Sequence, residues 1–530
     1  MLLPASAAFA PPLGRVLMVQ GTASHVGKST LVAALCRILR QEGLRVAPFK
    51  AQNMSNNAAV TADGGEIGRA QAMQAEAAGV APTVDMNPIL LKPQGERTSQ
   101  IVVRGHVLCT ASVGEYARLK PELWSTVTDA LDRLRAAYDV VVIEGAGSPA
   151  EINLKVQDIV NMRVALHARA PVVLVGDIDR GGVFASLVGT MELLKPEERA
   201  LVTAFVINKF RGDPSLLTSG LEFLLKRTGI PTAGVLPYLT DIHLPEEDSL
   251  GLPPMAYLPA GTADALLDIA VVRLPHIANF DDFDPLRREP GVRVRFVDAA
   301  EELDPEGRAP DLVVLPGTKT TIADLEWLHA RGLATRVVAL RQAGVPVLGI
   351  CGGYQMLGRF VRDPDGVEST AAESRGLGLL PLTTTFAGEK ATRLVRGSVS
   401  PTAPGLLARC QGAPVEGYEI HMGQTVADAG APVAAILRFA EDADGAADAT
   451  GRTVGTYVHG LLHNDIVRHG LLAQLAAWKG VSLPTSASHS PDAEYNRLAQ
   501  HVRAHVDVPL LLRAAGLELA STAAVEQGTE

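Results

Sequence analysis

Residues 21–30 combine glycines, a lysine and hydroxyl side chains in a pattern that suits phosphate binding. Gly21 ends an apolar run, and Gly27 stands directly before Lys28 and Ser29. The two glycines are one residue farther apart than in an ordinary phosphate-binding loop. Backbone amides at a helix start would hold phosphates, Lys28 would reach their far end, and the Ser29 hydroxyl suits Mg²⁺. We therefore predict a nucleotide site here; the alternative is a glycine-rich turn without a ligand. The predicted residues are Gly21, Thr22, Gly27, Lys28, Ser29 and Thr30.

Carboxylates in two other places are candidate metal ligands. Glu144 ends an apolar run and precedes Gly-Ala-Gly, so it could bind Mg²⁺ together with Ser29. Asp63 is the second candidate, and it lies in "TADGGEIGRAQAMQAEAAG", residues 61–79. The charges of that stretch equally describe one polar face of a helix. Glu144 is therefore the stronger prediction of the two.

Cations follow several of the other apolar runs. Lys50 comes just after the second run, where it could reach a transferred phosphate or a substrate carboxylate. Arg180 precedes two glycines in "GDIDRGG", and Lys209 begins "KFRGD". Cations beside glycines suit an anionic substrate, although solvated loop charges are the alternative.

A cysteine in the second half has the surroundings of a nucleophile. In "VPVLGICGGYQMLG", residues 345–358, Cys351 follows an apolar strand and glycines flank it. Small neighbours allow a sharp strand-to-helix turn, and a helix N-terminus favours the thiolate. His459 ends the run "VGTYVH" and is the predicted base, whereas a backbone amide at Gly317 is the predicted oxyanion donor. A buried structural cysteine is the alternative, and it leaves the flanking glycines without explanation.

Two series of apolar strands and helices must position these residues. In the first half, the runs "RVLMVQ", "LRVAPF", "YDVVVIE", "PVVLVGD", "TAFVINKF" and "TAGVLPY" each end in a glycine-rich or polar loop. Such apolar strands are typical of a parallel sheet covered on both faces, where ligands bind at the carboxyl ends. We predict a first domain at 14–240, a proline-rich linker at 241–265, a second domain at 266–475 and a helical segment with a frayed tail at 476–530.

Composition limits the classes of function. The chain has 530 residues, a formal net charge of −10 and no dense basic run, which argues against a nucleic-acid partner. Four scattered cysteines without metal-ligand spacing favour a reducing compartment. The first residues lack the basic region of a signal peptide, and no apolar run is long enough to span a bilayer. These features predict a cytoplasmic protein without a membrane partner.

Each half resembles a known class of enzyme. The long-spaced phosphate loop resembles that of dethiobiotin synthetase and its relatives, in which ATP activates a carboxylate. Cys351, His459 and the Gly317 loop resemble a class I glutamine amidotransferase domain, which adds Gly352, Gly353 and Tyr354 as glutamine-binding candidates. Class I glutaminases usually carry a glutamate two residues after the histidine, and here that residue is Leu461. The implied fold is α/β, a doubly wound parallel sheet joined to an amidotransferase domain.

The combination resembles the cobyric acid synthase family of cobalamin-pathway amidotransferases, in which Cys and His lack that glutamate. The matching stretches extend over residues 14–510 and include "PFKAQNMSNN", "VDMNPILLKP", "EGAGSPAEINL", "DIDRGGVFAS", "NKFRGD" and "EGYEIHMG". The resemblance implies ATP- and Mg²⁺-dependent amidation of the b, d, e and g carboxylates of adenosylcobyrinic acid a,c-diamide, with glutamine as nitrogen donor. It also implies that Asn53 and Lys92 join Lys50, Arg180 and Lys209 around this polyanionic corrinoid.

Two alternatives differ from this interpretation. One is an amidoligase of the same architecture that acts on another carboxylate, either cobyrinic acid or a cell-wall precursor. The other is a nucleotide switch of the partition-ATPase kind with an inactive glutaminase domain. The oligomeric state stays open, with a homodimer among the candidates.

Overall fold

The computed structural model describes residues 13–518 except 96, 240–241, 243, 246–264, 370 and 486–489. The predicted linker at 241–265 and the predicted tail lie largely outside these residues. Among the residues described, no helix combines the length and the apolar character that a membrane span requires.

The first half is built on a six-stranded parallel sheet in the order β12-β11-β10-β1-β9-β2. Its strands are β1 (Arg15–Gly21), β2 (Val46–Phe49), β9 (Val140–Glu144), β10 (Val172–Asp177), β11 (Val202–Phe210) and β12 (Thr232–Pro237). The helices of this half are α1 (Lys28–Gln41), α2 (Arg69–Ala78), α3 (Val113–Ala137), α4 (Met162–Ala168), α5 (Val183–Leu193), α6 (Pro196–Arg199) and α7 (Thr218–Thr228). Apolar clusters cover both faces of the sheet, as the six apolar runs predict.

An insertion between β2 and α3 carries two small sheets that the sequence pattern does not predict. It contains β3 (Gln52–Met54), β4 (Ala58–Val60), β5 (Glu66–Gly68), β6 (Ile89–Pro93), β7 (Thr98–Val103) and β8 (His106–Ser112). β4 pairs with β5, and the other four strands form a sheet in the order β3-β6-β7-β8. β3, β4 and β5 have three residues each, which is too short to show a clear hydrophobic period.

The second half contains another six-stranded sheet, in the order β14-β13-β15-β16-β24-β23, parallel except for β23. Its strands are β13 (Leu267–Val272), β14 (Val292–Val297), β15 (Leu312–Leu315), β16 (Val347–Ile350), β23 (Ala446–Ala447) and β24 (Thr453–Thr456). Its helices are α8 (Asp284–Arg287), α9 (Ala300–Leu303), α10 (Thr321–Ala330), α11 (Leu333–Gln342), α12 (Gly352–Leu357) and α13 (Asp465–Lys479). A 3-10 turn, Phe280–Phe283, follows β13.

A third sheet joins the two halves. It consists of β17 (Phe360–Arg362), β18 (Glu373–Arg375), β19 (Leu382–Val399), β20 (Pro414–Ala427), β21 (Leu437–Arg438) and β22 (Ala443–Asp444). The long antiparallel pair β19 and β20 reaches the insertion, where Ile420 packs with Ala58, Val60 and Leu90 in one buried cluster. The insertion of the first half is therefore the surface on which the second half docks.

The C-terminal helices return to the first half. They are α14 (Pro491–His505) and α15 (Val508–Ala514), and their apolar side chains belong to the same core cluster as α1. Arg37 on α1 forms an ion pair with Asp492, 2.8 Å between Nη1 and Oδ1. The predicted helical C-terminal segment is thus part of the first half in space.

Candidate active sites and family membership

The predicted phosphate loop connects the central strand β1 to α1. Gly27 has a left-handed backbone (φ 97°) that favours glycine, and a Cβ there would lie 2.1 Å from the Asn208 amide nitrogen. The Lys28 ammonium donates to the carbonyls of Ala23 (2.9 Å) and Gly147 (3.2 Å), so it lies across the mouth of the loop. Thr22 donates its backbone N–H to Val175 on the neighbouring strand. This cradle fits the phosphates of a nucleotide.

Glu144 is the centre of the polar cluster beside the loop. Its buried carboxylate accepts hydrogen bonds from Ser29 (2.8 Å), Lys50 (2.9 Å) and Gln74 on α2 (2.5 Å). Ser29 on α1, Glu144 at the end of β9 and Lys50 just after β2 are distant in sequence, and the structure brings them together. In the part of the chain described, no three His, Cys, Asp or Glu side chains form a preformed metal cage. A hydroxyl and one carboxylate fit Mg²⁺, which usually completes its shell with phosphate oxygens and water.

The other predicted substrate residues are distributed over several places. Lys209 lies at the phosphate loop, where its ammonium donates to the His25 carbonyl (2.7 Å) and to Asp177 (2.9 Å). Arg180 is exposed in the loop that follows β10. Asn53 is buried, and its amide donates to Gln71 on α2 (2.9 Å). The structure does not join Asp63 to Ser29 and Glu144, because its carboxylate accepts from Thr61 in the turn between β4 and β5.

Lys92 contributes to a different site from the one the sequence suggests. It lines the same cavity as Cys351 and His459, at the junction of the two halves. Its ammonium lies 2.5 Å from the Glu66 carboxylate, which also forms an ion pair with Lys390 on β19. Burial raises the pKa of Glu66, but the charges of Lys390 and Lys92 outweigh burial and lower that pKa to about 2. This buried three-residue cluster links the insertion to the second half of the chain.

Cys351 occupies the turn between β16 and α12. Its backbone has φ 52° and ψ −110°, a strained conformation for a non-glycine residue that is common at functional sites. The sharp turn leaves Sγ in the cavity, 3.6 Å from the Ile420 carbonyl oxygen. Close packing explains the neighbouring glycines, since a Cβ on Gly353 would lie 2.0 Å from the Leu315 carbonyl oxygen and one on Gly352 would lie 2.6 Å from Thr318.

His459 has an acidic partner that sequence spacing does not reveal. Its Nδ1 lies 2.7 Å from Oδ2 of Asp282, and the other oxygen of Asp282 accepts the Gly460 backbone N–H (2.7 Å). Both side chains are almost fully buried. The ring of Tyr418 stacks on the imidazole with centroids 5.3 Å apart. Cys351, His459 and Asp282 therefore have the arrangement of a nucleophile–base–acid triad.

The acidic partner of His459 makes the imidazole more basic. Burial alone lowers the pKa of His459, whereas the charge and hydrogen bond of Asp282, with smaller contributions from Cys351, raise it to about 10. His459 is consequently protonated near neutral pH. An imidazolium beside a thiol favours the thiolate, which is the nucleophilic form.

The remaining predicted glutaminase residues fall into two groups. Gly317 lies against the imidazole, because a Cβ there would be 2.8 Å from Cε1 of His459. Gly352 and Gly353 begin α12 next to the nucleophile. Tyr354 does not line the cavity; its ring packs against Gly455 and meets Tyr457 edge-on, with centroids 5.2 Å apart. The Tyr354 side chain therefore lies outside the lining of the Cys351 cavity, and its role in glutamine binding stays a prediction.

Several residues that line the cavity were not predicted from the sequence. Gln355, next to Tyr354, lines the cavity and donates to the Met422 carbonyl (3.0 Å). Lys319 and Glu368 also line it, and burial lowers the pKa of Lys319 to about 8 and raises that of Glu368 to about 7. A signal for Lys319 was present, because it lies two residues after Gly317. None was present for Glu368 or Asp282.

Comparisons with known proteins agree with this architecture. A family model described as the CobQ/CobB/MinD/ParA nucleotide binding domain matches residues 17–251, and one described as a CobB/CobQ-like glutamine amidotransferase domain matches residues 268–467. A cobyric acid synthase of Sorangium cellulosum is 53% identical over 521 residues, covering 95% of this chain and 99% of the relative. Cobyric acid synthases of Dehalococcoides mccartyi and Chloroflexus aurantiacus are each 51% identical, covering 94% of this chain and 97% and 98% of the relatives. The chain therefore belongs to the cobyric acid synthase family of glutamine-hydrolysing amidoligases in cobalamin biosynthesis.

Proposed function

We propose that the chain converts the b, d, e and g side-chain carboxylates of adenosylcobyrinic acid a,c-diamide to carboxamides, using ATP, Mg²⁺ and glutamine. The product of the four amidations is adenosylcobyric acid. The observation that carries this proposal is about 50% identity with cobyric acid synthases along nearly the whole chain.

In the glutaminase half, the Cys351 thiolate attacks the side-chain carbonyl carbon of glutamine. The proton held on His459 passes to the departing nitrogen, so ammonia leaves and a glutamyl thioester remains on Cys351. Water, deprotonated by His459, then hydrolyses the thioester to glutamate and restores the thiol. Asp282 keeps the imidazole in the required tautomer and orientation. The cations and the carboxylate of the cavity, Lys319 and Glu368 among them, suit a zwitterionic amino acid.

In the nucleotide-binding half, a corrin carboxylate would be phosphorylated by ATP, giving ADP and an acyl phosphate. Ammonia would then add to the acyl carbon and expel phosphate. Phosphorylation is needed because a carboxylate is a poor electrophile, and it both removes the negative charge and creates a leaving group. Ser29 and Glu144 would hold Mg²⁺, which compensates phosphate charge. Lys28 and Lys50 are placed to balance the charge that develops on the migrating phosphoryl group.

The complete triad geometry argues against a nucleotide switch with an inactive glutaminase. An inactive domain has no need to keep a strained Cys351, a buried His459 and a buried Asp282 together. An amidoligase for a different carboxylate is the remaining rival, and the acceptor assay decides between the two.

The test is amidation of purified acceptors with Mg·ATP and glutamine, followed by mass spectrometry of the corrinoid. We expect stepwise conversion of adenosylcobyrinic acid a,c-diamide to the product with four new amides. Reactions that lack ATP, and reactions of Cys351→Ala with glutamine, serve as controls. Amidation of cobyrinic acid or of a cell-wall precursor in preference to the a,c-diamide would overturn the proposed acceptor.

A further inference from the structure

The acid of the triad lies on a loop of the second half, and residues of the first half hold this loop in place. Asp282 belongs to the 3-10 turn Phe280–Phe283, and the residue before this turn, Asn279, has a left-handed backbone (φ 52°). The Asn279 N–H donates to Oδ1 of Asn57 (2.7 Å), and its own Oδ1 accepts the Ala58 N–H (2.9 Å). Asn57 and Ala58 belong to the insertion of the nucleotide-binding half. The conformation of the loop therefore depends on docking between the halves.

An ion pair fixes the same loop one residue from the triad. Nε of Arg69, the first residue of α2, lies 3.0 Å from Oδ2 of Asp281. Asp281 is 2% exposed, and its Oδ1 is buried without a hydrogen-bond partner among the described residues. A buried carboxylate with so few hydrogen bonds depends strongly on the opposite charge beside it. Loss of the guanidinium would favour a rearrangement of the loop that carries Asp282.

The same helix reaches the nucleotide site. Gln74, five residues after Arg69 on α2, donates to Glu144 (2.5 Å) and to the Ser29 carbonyl (3.3 Å). Packed secondary-structure elements, such as this ten-residue helix, can carry energetic coupling between two sites. A displacement of Gln74 when nucleotide and metal bind at Ser29 and Glu144 would thus also displace Arg69.

We propose that Arg69 is a positioning residue of the glutaminase site, which holds the Asp282 loop through Asp281, and that α2 transmits nucleotide binding to the Cys351–His459 pair. This inference rests on the proposed function for its use of glutamine and a nucleotide. It does not depend on the identity of the acceptor. Arg69 is not among the residues that line the Cys351 cavity, so it acts through Asp281 and α2.

The test compares Arg69→Leu and Arg69→Lys with the matched control Arg37→Leu. Arg37 is a similarly buried arginine of the same half, but its partner is Asp492 on α14, outside the Asp282 loop. Glutamate release is measured without any corrinoid. We expect Arg69→Leu to lower kcat about 100-fold with little change in KM. A misplaced base slows the chemical step but leaves the binding of glutamine in the ground state nearly unchanged. Arg69→Lys should recover part of the loss, and Arg37→Leu should keep the wild-type rate.

Two further measurements separate positioning from general damage. Amide synthesis from ammonium salt should be nearly unchanged in Arg69→Leu, since it bypasses the triad. A non-hydrolysable ATP analogue with Mg²⁺ should change the glutaminase kcat of the wild type and of Arg37→Leu, but not that of Arg69→Leu. If Arg69→Leu does not fold, Asp281→Asn carries the same expectations, because it removes the other half of the ion pair.

Three results would overturn the inference. They are a wild-type glutaminase kcat in folded Arg69→Leu, an equal loss of glutamine- and ammonia-dependent synthesis in that variant, and a response to the ATP analogue that is the same in Arg69→Leu as in the wild type, whether both respond or neither does. A wild type that releases glutamate yet fails to amidate the a,c-diamide would contradict the proposed acceptor alone.

Discussion

Replacement of Asp282 by Asn tests whether this residue is the acid of the triad. Asn has nearly the same shape, but it carries no charge, and its NH₂ can donate to Nδ1 and impose the wrong tautomer on His459. In the wild type the pKa of His459 rises from 6.5 to about 10, a rise of about 3.5 pH units. At about 1.4 kcal/mol per unit, this corresponds to about 5 kcal/mol of preference for the imidazolium. Because Cys351 contributes part of it, we expect glutamine kcat/KM to fall on the order of 100- to 1,000-fold.

The pH dependence of glutamine hydrolysis is a second measurement on the Asp282→Asn variant. The groups around the imidazole are Cys351, Asp282, the stacked Tyr418 and, beyond Asp282, Asp281. Without the Asp282 charge the pKa of His459 should fall toward its ordinary value, so the alkaline limb of glutamine kcat/KM should move to lower pH. A raised folded-state pKa also stabilises the fold below about pH 6.5, and this contribution is lost as pH rises toward 10. The wild type should therefore exceed Asp282→Asn in free energy of unfolding most at pH 6, and the difference should narrow toward pH 10.

The assay is glutamate release over a range of pH, together with chemical denaturation at the same pH values. Asp284→Asn is the matched control, because Asp284 lies two residues away and forms an ion pair with Arg287 instead. Kinetics of Asp282→Asn within about threefold of the wild type, with an unshifted alkaline limb, would refute the triad assignment.

Two other substitutions test the division of chemistry between the halves, and a third tests whether the triad is complete. Cys351→Ala should abolish glutamine-dependent synthesis and leave ammonia-dependent synthesis largely intact; an equal loss of both in a folded protein would contradict separate sites. Lys28→Ala should abolish synthesis from both nitrogen sources while some glutamate release persists, because carboxylate activation precedes nitrogen transfer; normal ammonia-dependent synthesis would show that the loop is not the activating site. Leu461→Glu should not raise the glutaminase rate, since Asp282 already occupies Nδ1 of His459, and it should lower the melting temperature because Leu461 is 1% exposed in the core. A large rise in glutamate release would show instead that the missing glutamate is a defect.

The sequence by itself determined the elements and the residues at their ends. Six apolar runs in the first half predict the six strands of its sheet, and all six are present. Glycine spacing and strand ends likewise locate Lys28, Ser29, Glu144 and Cys351. These signals are local, because hydrophobic period and turn residues act over a few neighbouring positions.

Only the tertiary structure decided which residues complete each site. Asp282 and His459 are 177 residues apart in sequence, and no spacing rule connects them. Lys92 faces the glutaminase cavity because β6 belongs to the docking insertion, and Tyr354 packs beside Gly455 because the first turn of α12 faces the sheet core. Each of these placements results from the packing of one half of the chain on the other. Such packing depends on shape and charge over distant segments, which a single sequence does not specify residue by residue.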